Sequence, residues 1–71
     1  MQAQEIRTWT TEELRDRLED AYRELFALRR ELAMGRLEDH NRVRSVRRDI
    51  ARVKTILRER ELAAELAGEA S

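Results

Sequence analysis

The run LRDRLEDAYRELFALRREL, residues 14–32, carries apolar side chains at alternating steps of four and three residues. A period near 3.5 residues is typical of an amphipathic helix with one narrow apolar seam. The seam of this first helix consists of Leu14, Leu18, Ala21, Leu25, Leu28 and Leu32. Because a single helix cannot bury its own seam, the stretch predicts that a second helix packs against it.

The same spacing returns in VRSVRRDIARVKTIL, residues 43–57. The seam of this second helix consists of Val43, Val46, Ile50, Val53 and Leu57. Two seams of matching length, joined by a short polar segment, predict an antiparallel helical hairpin. We therefore expect an all-α fold with two long helices, near residues 10–34 and 40–63.

Local signals mark where these helices begin and end. Thr10 and Glu13 have the spacing of a capping box, and Trp9 precedes it at the position of a hydrophobic staple to Leu14. Gly35 can end the first helix in the left-handed conformation. Asp39 or Asn41 can then cap the second helix. We therefore expect a two-helix domain at residues 1–63, with a short N-terminal arm, and a frayed, flexible acidic tail at 64–71.

The composition excludes most catalytic and metal-binding classes. The chain has 71 residues, of which 42% are charged and 4% aromatic, with no proline, no cysteine and a single histidine. So short a chain has no room for both a core and an enclosed substrate cavity. We therefore predict no enzyme, no cofactor, no metal site and no small-molecule substrate. Since no stretch approaches the length of a membrane span, we also expect a soluble, cytoplasmic protein.

The net charge of zero conceals a basic segment between two acidic ones. Residues 35–60 hold eight arginines and one lysine against four acidic residues, a net charge of +5. Residues 1–34 carry a net charge of −2 and residues 61–71 carry −3. This asymmetry favours a localised contact with a polyanion, although arginine and glutamate can also simply decorate a solvated helix.

The cations of the second helix fall on one side of it. At about 100° per residue, they lie roughly 40° to 200° from Ile50, outside the seam. These cations are Arg44, Arg47, Arg48, Arg52, Lys54 and Arg58. Ala51 and Thr55 lie among them and are small, so a phosphate backbone could approach the helix closely. We call these eight residues the basic strip. Ser45, Asp49 and Ile56 fall on the opposite flank.

The strip predicts contacts to phosphate, sugar and RNA shape rather than to base sequence, because the chain has no base-reading motif. Arginine outnumbers lysine by 14 to 1, and a guanidinium group can bridge phosphate oxygens. Tyr22 and Phe26 lie to one side of the first seam, about 60° and 100° from Leu25. We interpret both as an extension of the core in preference to a dedicated partner contact.

Several of these stretches together resemble one family. They are the arm Glu5-Ile6-Arg7, the runs Leu25-Phe26-Ala27-Leu28-Arg29 and Gly35-Arg36-Leu37-Glu38, and Val46-Arg47-Arg48-Asp49-Ile50-Ala51-Arg52-Val53-Lys54-Thr55. In order and spacing the chain, over about residues 3–60, is similar to the bacterial large-subunit ribosomal protein L-twenty-nine family. The resemblance implies two long antiparallel helices and a structural role in the large ribosomal subunit.

The resemblance also implies partners. Members of that family bind large-subunit ribosomal RNA beside the polypeptide exit tunnel, next to ribosomal protein L-twenty-three, where factors that meet the nascent chain also arrive. By this resemblance Arg47, Arg48, Ala51, Arg52, Lys54 and Thr55 belong to the RNA-facing surface. The alternative is a non-catalytic helical-hairpin or coiled-coil adaptor that binds other proteins.

Overall fold

The computed structural model describes residues 2–70, with the backbone alone at residues 69 and 70. Three helices follow in order: α1 at Ala3–Ile6, α2 at Thr11–Ala33 and α3 at His40–Ala70. No strand occurs within this described range. The long helices α2 and α3 pack against each other as a hairpin, and α1 contacts α3. The predicted all-α hairpin with a short N-terminal arm is confirmed.

The predicted helix caps are present at the start and end of α2. The Thr10 hydroxyl accepts a hydrogen bond from the Glu13 amide at 3.1 Å, and the Glu13 carboxylate accepts one from the Thr10 amide at 3.3 Å. Beyond α2, Gly35 adopts a φ of 68°, which favours glycine and reverses the chain. Of the two candidate caps for α3, Asp39 is used, because its carboxylate accepts from the Asn41 amide at 3.0 Å.

The predicted end of the second helix is wrong. Helix α3 continues seven residues beyond residue 63, to Ala70. The sequence of this extension is rich in alanine, leucine and glutamate, which are among the best helix formers, and only Gly68 opposes them. The flexibility of residues 64–71 as a separate tail stays a prediction, and Ser71 lies outside the described residues.

The core consists of two apolar clusters along the hairpin. One, near the turn, contains Leu25, Leu28, Val46 and Ile50. The other, near the chain start, contains Ile6, Leu14, Val53 and Ile56. Leu18 packs against both clusters, and Trp9 packs against the cluster that holds Leu14, as expected for a hydrophobic staple. The two seams therefore meet as predicted over most of their length.

Two positions, Leu32 and Ile56, differ in burial from the sequence prediction. Leu32 was expected in the seam but is 50% exposed, because α2 ends one residue later. Ile56 was expected on the opposite flank of α3 but is buried. The reason is the N-terminal arm, residues 2–10, whose Ile6 is fully buried in the same cluster as Ile56. The arm thus widens the buried face of α3.

Arg60 of α3 anchors the arm. Its guanidinium group donates to the carbonyl of Trp9 at 2.7 Å, to the carbonyl of Arg7 at 3.3 Å and to the Thr11 hydroxyl at 3.1 Å. Arg7 also lies 3.8 Å from the Glu59 carboxylate. These contacts join the arm, the start of α2 and α3 into one unit.

Candidate nucleic-acid interface

The basic strip lies on the face of α3 that points away from α2. Val46, Ile50 and Val53 are buried against α2, and a helix advances by about 100° per residue. The strip therefore falls opposite to the buried face. Arg44, Arg47, Arg48, Ala51, Lys54, Thr55 and Arg58 are all exposed. Arg52 is half-buried, with 39% of its side chain accessible. The structure thus brings the sequence-predicted residues together on one surface.

Acidic side chains are scarce along this surface. Within the described residues, Arg44, Arg47, Arg48 and Lys54 form no ion pair, whereas Arg58 lies 3.4 Å from the Glu61 carboxylate. Between residues 44 and 58 the only acidic residue is Asp49, which lies at the edge of the buried face. The strip therefore presents four cations without an ion pair among the described residues, an arrangement that attracts an extended polyanion.

Arg52, like Arg58, forms an ion pair within its own helix. Its guanidinium group lies 3.7 Å from the Asp49 carboxylate, one turn earlier in α3. This contact turns the side chain towards the edge of the buried face. Contacts to an external polyanion are therefore expected first from Arg44, Arg47, Arg48 and Lys54.

The small residues of the strip leave the α3 backbone accessible. Ala51 and Thr55 are exposed, and the Thr55 hydroxyl donates to the Ala51 carbonyl at 2.9 Å. That internal hydrogen bond uses the hydroxyl proton and leaves the oxygen free to accept another. A sugar hydroxyl of RNA is a donor of the required kind.

The two flanks of the hairpin differ. On one, the Arg42 guanidinium donates to the Glu24 carboxylate at 2.6 Å and bridges α3 to α2. Farther along this flank the arm covers Ile56. We call this the closed flank. On the other, Leu18 of α2 lines a shallow depression with Lys54 and Arg58 of α3, and no arm covers it. We call this the open flank, and it adjoins the basic strip.

The two aromatic residues of α2 have different environments. Tyr22 is half-buried and packs against the cluster near the turn, as predicted. Phe26 is 54% exposed, so its interpretation as core is wrong. The cause is its position about 100° from Leu25, which lies beyond the reach of α3. A third aromatic, Trp9, has the Arg17 guanidinium 4.6 Å from its ring centroid.

Other kinds of site find no support among residues 2–70. No cluster of three or more potential metal ligands occurs among the described side chains. His40, the single histidine, is exposed at the first residue of α3. In the described part of the chain no helix combines the length and apolar character needed to span a membrane.

Two residues with structural roles were missed by sequence reasoning. Ile6 stands alone in a four-residue helix, too short to show a periodic pattern, so only its apolar type in a polar arm could have signalled burial. Arg60 was counted as one more cation of the basic segment. Arg60 lies opposite the capped start of α2, and this tertiary contact cannot be deduced from the spacing of residues along α3.

Comparison with known proteins places these features in a family. The family model described as "Ribosomal L29 protein" matches residues 4–60, which include the arm from residue 4, α2, the turn and the whole basic strip. Three relatives are each named large ribosomal subunit protein uL29. The chain is 57% identical over 65 residues to that of Roseiflexus castenholzii, which covers 92% of this chain and 98% of the relative. The relative from Geobacillus stearothermophilus is 56% identical over 64 residues, which cover 90% of this chain and 97% of the relative. The relative from Thermotoga maritima is 53% identical over 62 residues, which cover 87% of this chain and 94% of the relative.

Proposed function

The chain belongs to the ribosomal L29 protein family, and from this premise we propose that it binds large-subunit ribosomal RNA through the basic strip of α3. Membership of this family makes it a structural, non-enzymatic protein of the large ribosomal subunit, located in the cytoplasmic ribosome. The proposal concerns two further points. The first is the RNA-binding surface, which is the basic strip. The second is the location of the protein in the subunit, beside the polypeptide exit tunnel, next to ribosomal protein L-twenty-three and within reach of nascent-chain factors.

The observation that supports this proposal most is the set of unpaired cations on one exposed face. Arg44, Arg47 and Arg48 lie opposite the buried face, Lys54 lies at the edge of the open flank, and none of the four has an ion pair among the described residues. Burial against α2 does not explain their presence. A helix that only needs solubility mixes both signs on its outward side, as α2 does with Arg23 between Glu19 and Asp20.

The position beside the tunnel and the neighbouring protein rest on the family resemblance. The molecule is a rod with extents of 55 × 20 × 15 Å, so contacts on different sides can involve different partners. RNA on the outward face of α3 leaves the outward face of α2 available to a protein. On α2 that face exposes Glu12 and Asp16 together with the ion-paired group of Glu19, Asp20 and Arg23.

A salt series separates RNA binding from the alternative of a protein-interaction adaptor. We expect the purified chain to co-sediment with large ribosomal subunits, to bind protein-free large-subunit RNA, and to lose affinity steeply as salt rises. With six strip cations the slope of log affinity against log salt reaches up to about −5, since each phosphate contact contributes about −0.7 to −0.9. An adaptor would bind a ribosomal or other protein, would not bind the free RNA, and would show no such slope.

A further inference from the structure

Phe26 is surrounded by arginine on a helix that is otherwise acidic. Helix α2 holds seven acidic residues and five arginines. Side chains three and four residues away are the neighbours of a position on a helix surface. For Phe26 these neighbours are Tyr22, Arg23, Arg29 and Arg30, with no acidic residue among them. Arg23 is ion-paired with Glu19 and Asp20, so the unpaired charges beside this half-exposed ring are those of Arg29 and Arg30.

Helical geometry places this ring on the same side of the hairpin as the open flank. Arg17, Ala21 and Glu24 of α2 line the same depression as Arg42 and Asp49 of α3, on the closed flank. Phe26 points to the other side of α2, where Leu18 adjoins Lys54 and Arg58. In the antiparallel register Leu25 and Leu28 pack in the cluster that contains Val46. The ring thus lies at the level of Arg44, Arg47 and Arg48.

The core does not account for the exposed ring. Phe26 packs against neither apolar cluster, whereas Tyr22, one turn earlier, packs against the cluster near the turn. Arg29 and Arg30 are exposed and have no ion pair among the described residues. An apolar ring with free guanidinium groups beside it suits a partner that is flat, aromatic and linked to anions.

We propose that Phe26, with Arg29 beside it, is a stacking platform for an unpaired nucleobase of the RNA whose phosphates lie along the basic strip. This inference rests on the proposed function and extends its surface from α3 onto α2. Bases that are unpaired in loops and bulges stack on aromatic rings and on guanidinium planes, while paired bases are not available for stacking. A protein partner would fit the ring but not the two unpaired guanidinium groups of Arg29 and Arg30 beside it.

Two RNA probes with equal numbers of phosphates test the platform. One is a hairpin whose loop is a run of unpaired adenosines, and the other is a blunt duplex. The full chain and its Phe26→Leu variant are titrated with each probe over a salt series. We expect Phe26→Leu to bind the hairpin about tenfold more weakly and the duplex as before, because one stacked base is lost. The salt slope stays unchanged, since no phosphate contact is removed.

Matched variants distinguish loss of the aromatic ring from loss of apolar bulk at position 26. Phe26→Tyr keeps the ring and should bind the hairpin like the unmodified chain, whereas Phe26→Met keeps apolar bulk without a ring and should behave like Phe26→Leu. Leu66→Ala alters another exposed apolar residue, 64% accessible against 54% for Phe26, at the far end of α3 and should change nothing. Thermal unfolding followed by circular dichroism verifies that each variant remains folded.

Three results would overturn the platform: full hairpin affinity in Phe26→Leu, an equal loss on hairpin and duplex, or a loss of binding to a ribosomal protein with RNA binding intact. The proposed function fails by a different result. If substituting Arg44 and Arg48 together by glutamine leaves both probes bound with the same salt slope, the strip does not contact phosphate. Failure of the platform alone leaves that slope change in place.

Discussion

The two long faces of α3 belong to the same helix and differ in what their side chains contact. The buried face contacts α2 and the arm through Val46, Ile50, Val53 and Ile56, with Arg60 at its edge. The outward face carries Arg44, Arg47, Arg48 and Lys54, none of which has an ion pair among the described residues. Changes on the buried face should therefore alter stability, and changes on the outward face should alter binding alone.

The difference also shows that arrangement of charge matters more than its amount. Helix α2 neutralises charge within itself, as where the Arg23 guanidinium lies 2.6 Å from the Glu19 carboxylate. On α3 the sole acidic residue between positions 44 and 58, Asp49, contacts Arg52 at the edge of the buried face. The chain thus has a net charge of zero and still presents a basic surface.

The largest effect is expected on the buried face, at Ile56. Replacing Ile56, 4% exposed, by alanine removes three carbons from the cluster that contains Ile6 and Leu14. We expect a loss of about 2–5 kcal/mol in the free energy of unfolding, measured by urea titration. The exposed neighbour Thr55→Ala is the control and should cost less than about 1 kcal/mol. Equal costs for the two variants would mean that the arm does not bury Ile56.

An intermediate effect is expected at Arg60, on the edge of the same face. Arg60→Ala removes the donors to Trp9, Arg7 and Thr11 and leaves their acceptors to water. We expect a loss of about 1–3 kcal/mol, together with a change in Trp9 fluorescence as the arm loosens. Arg58→Ala, two residues earlier, removes an exposed ion pair with Glu61 and should cost at most about 1 kcal/mol. A Trp9 signal that does not respond to Arg60→Ala would contradict the anchoring role.

A smaller effect is expected at Gly35, which sets the two helices side by side. Gly35→Ala places a side chain at a φ of 68°, although no atom lies within 4 Å of the added carbon. The cost is therefore conformational alone, about 1–2 kcal/mol in thermal unfolding. Gly68→Ala is the matched control within α3 and should be stabilising by up to about 1 kcal/mol. A neutral Gly35→Ala would show that the turn does not depend on the left-handed conformation.

Features with a local cause could be predicted from the sequence. The capping box at Thr10, the turn at Gly35 and the two seams each depend on residues within a turn or two of each other. The outward position of the basic strip follows from the same period. The predicted end of the second helix is wrong, because the alanine, leucine and glutamate beyond residue 63 are good helix formers and continue α3 to Ala70.

Features made by distant segments could not be predicted in this way. Ile56 is buried because the arm folds over it, and the spacing of apolar residues in α3 does not indicate that the arm packs there. Arg60 finds its acceptors about 50 residues earlier in the chain. Phe26 is exposed because α3 covers a narrower sector of α2 than the apolar pattern suggests. In each case contact between segments overrides the local pattern.

The central claim is that the outward face of α3, and not charge in general, binds RNA. The direct test compares two double variants that remove the same amount of charge. One carries Arg44→Gln and Arg48→Gln on α3, and the other carries Arg15→Gln and Arg17→Gln on α2. Circular dichroism should show both variants folded, although the second also loses the contact of Arg17 with the Trp9 ring. On large-subunit RNA we expect the first variant to bind more weakly, with a salt slope shallower by about one to two units, and the second to bind like the unmodified chain. Equal losses in both variants, or no loss in either, would contradict the claim.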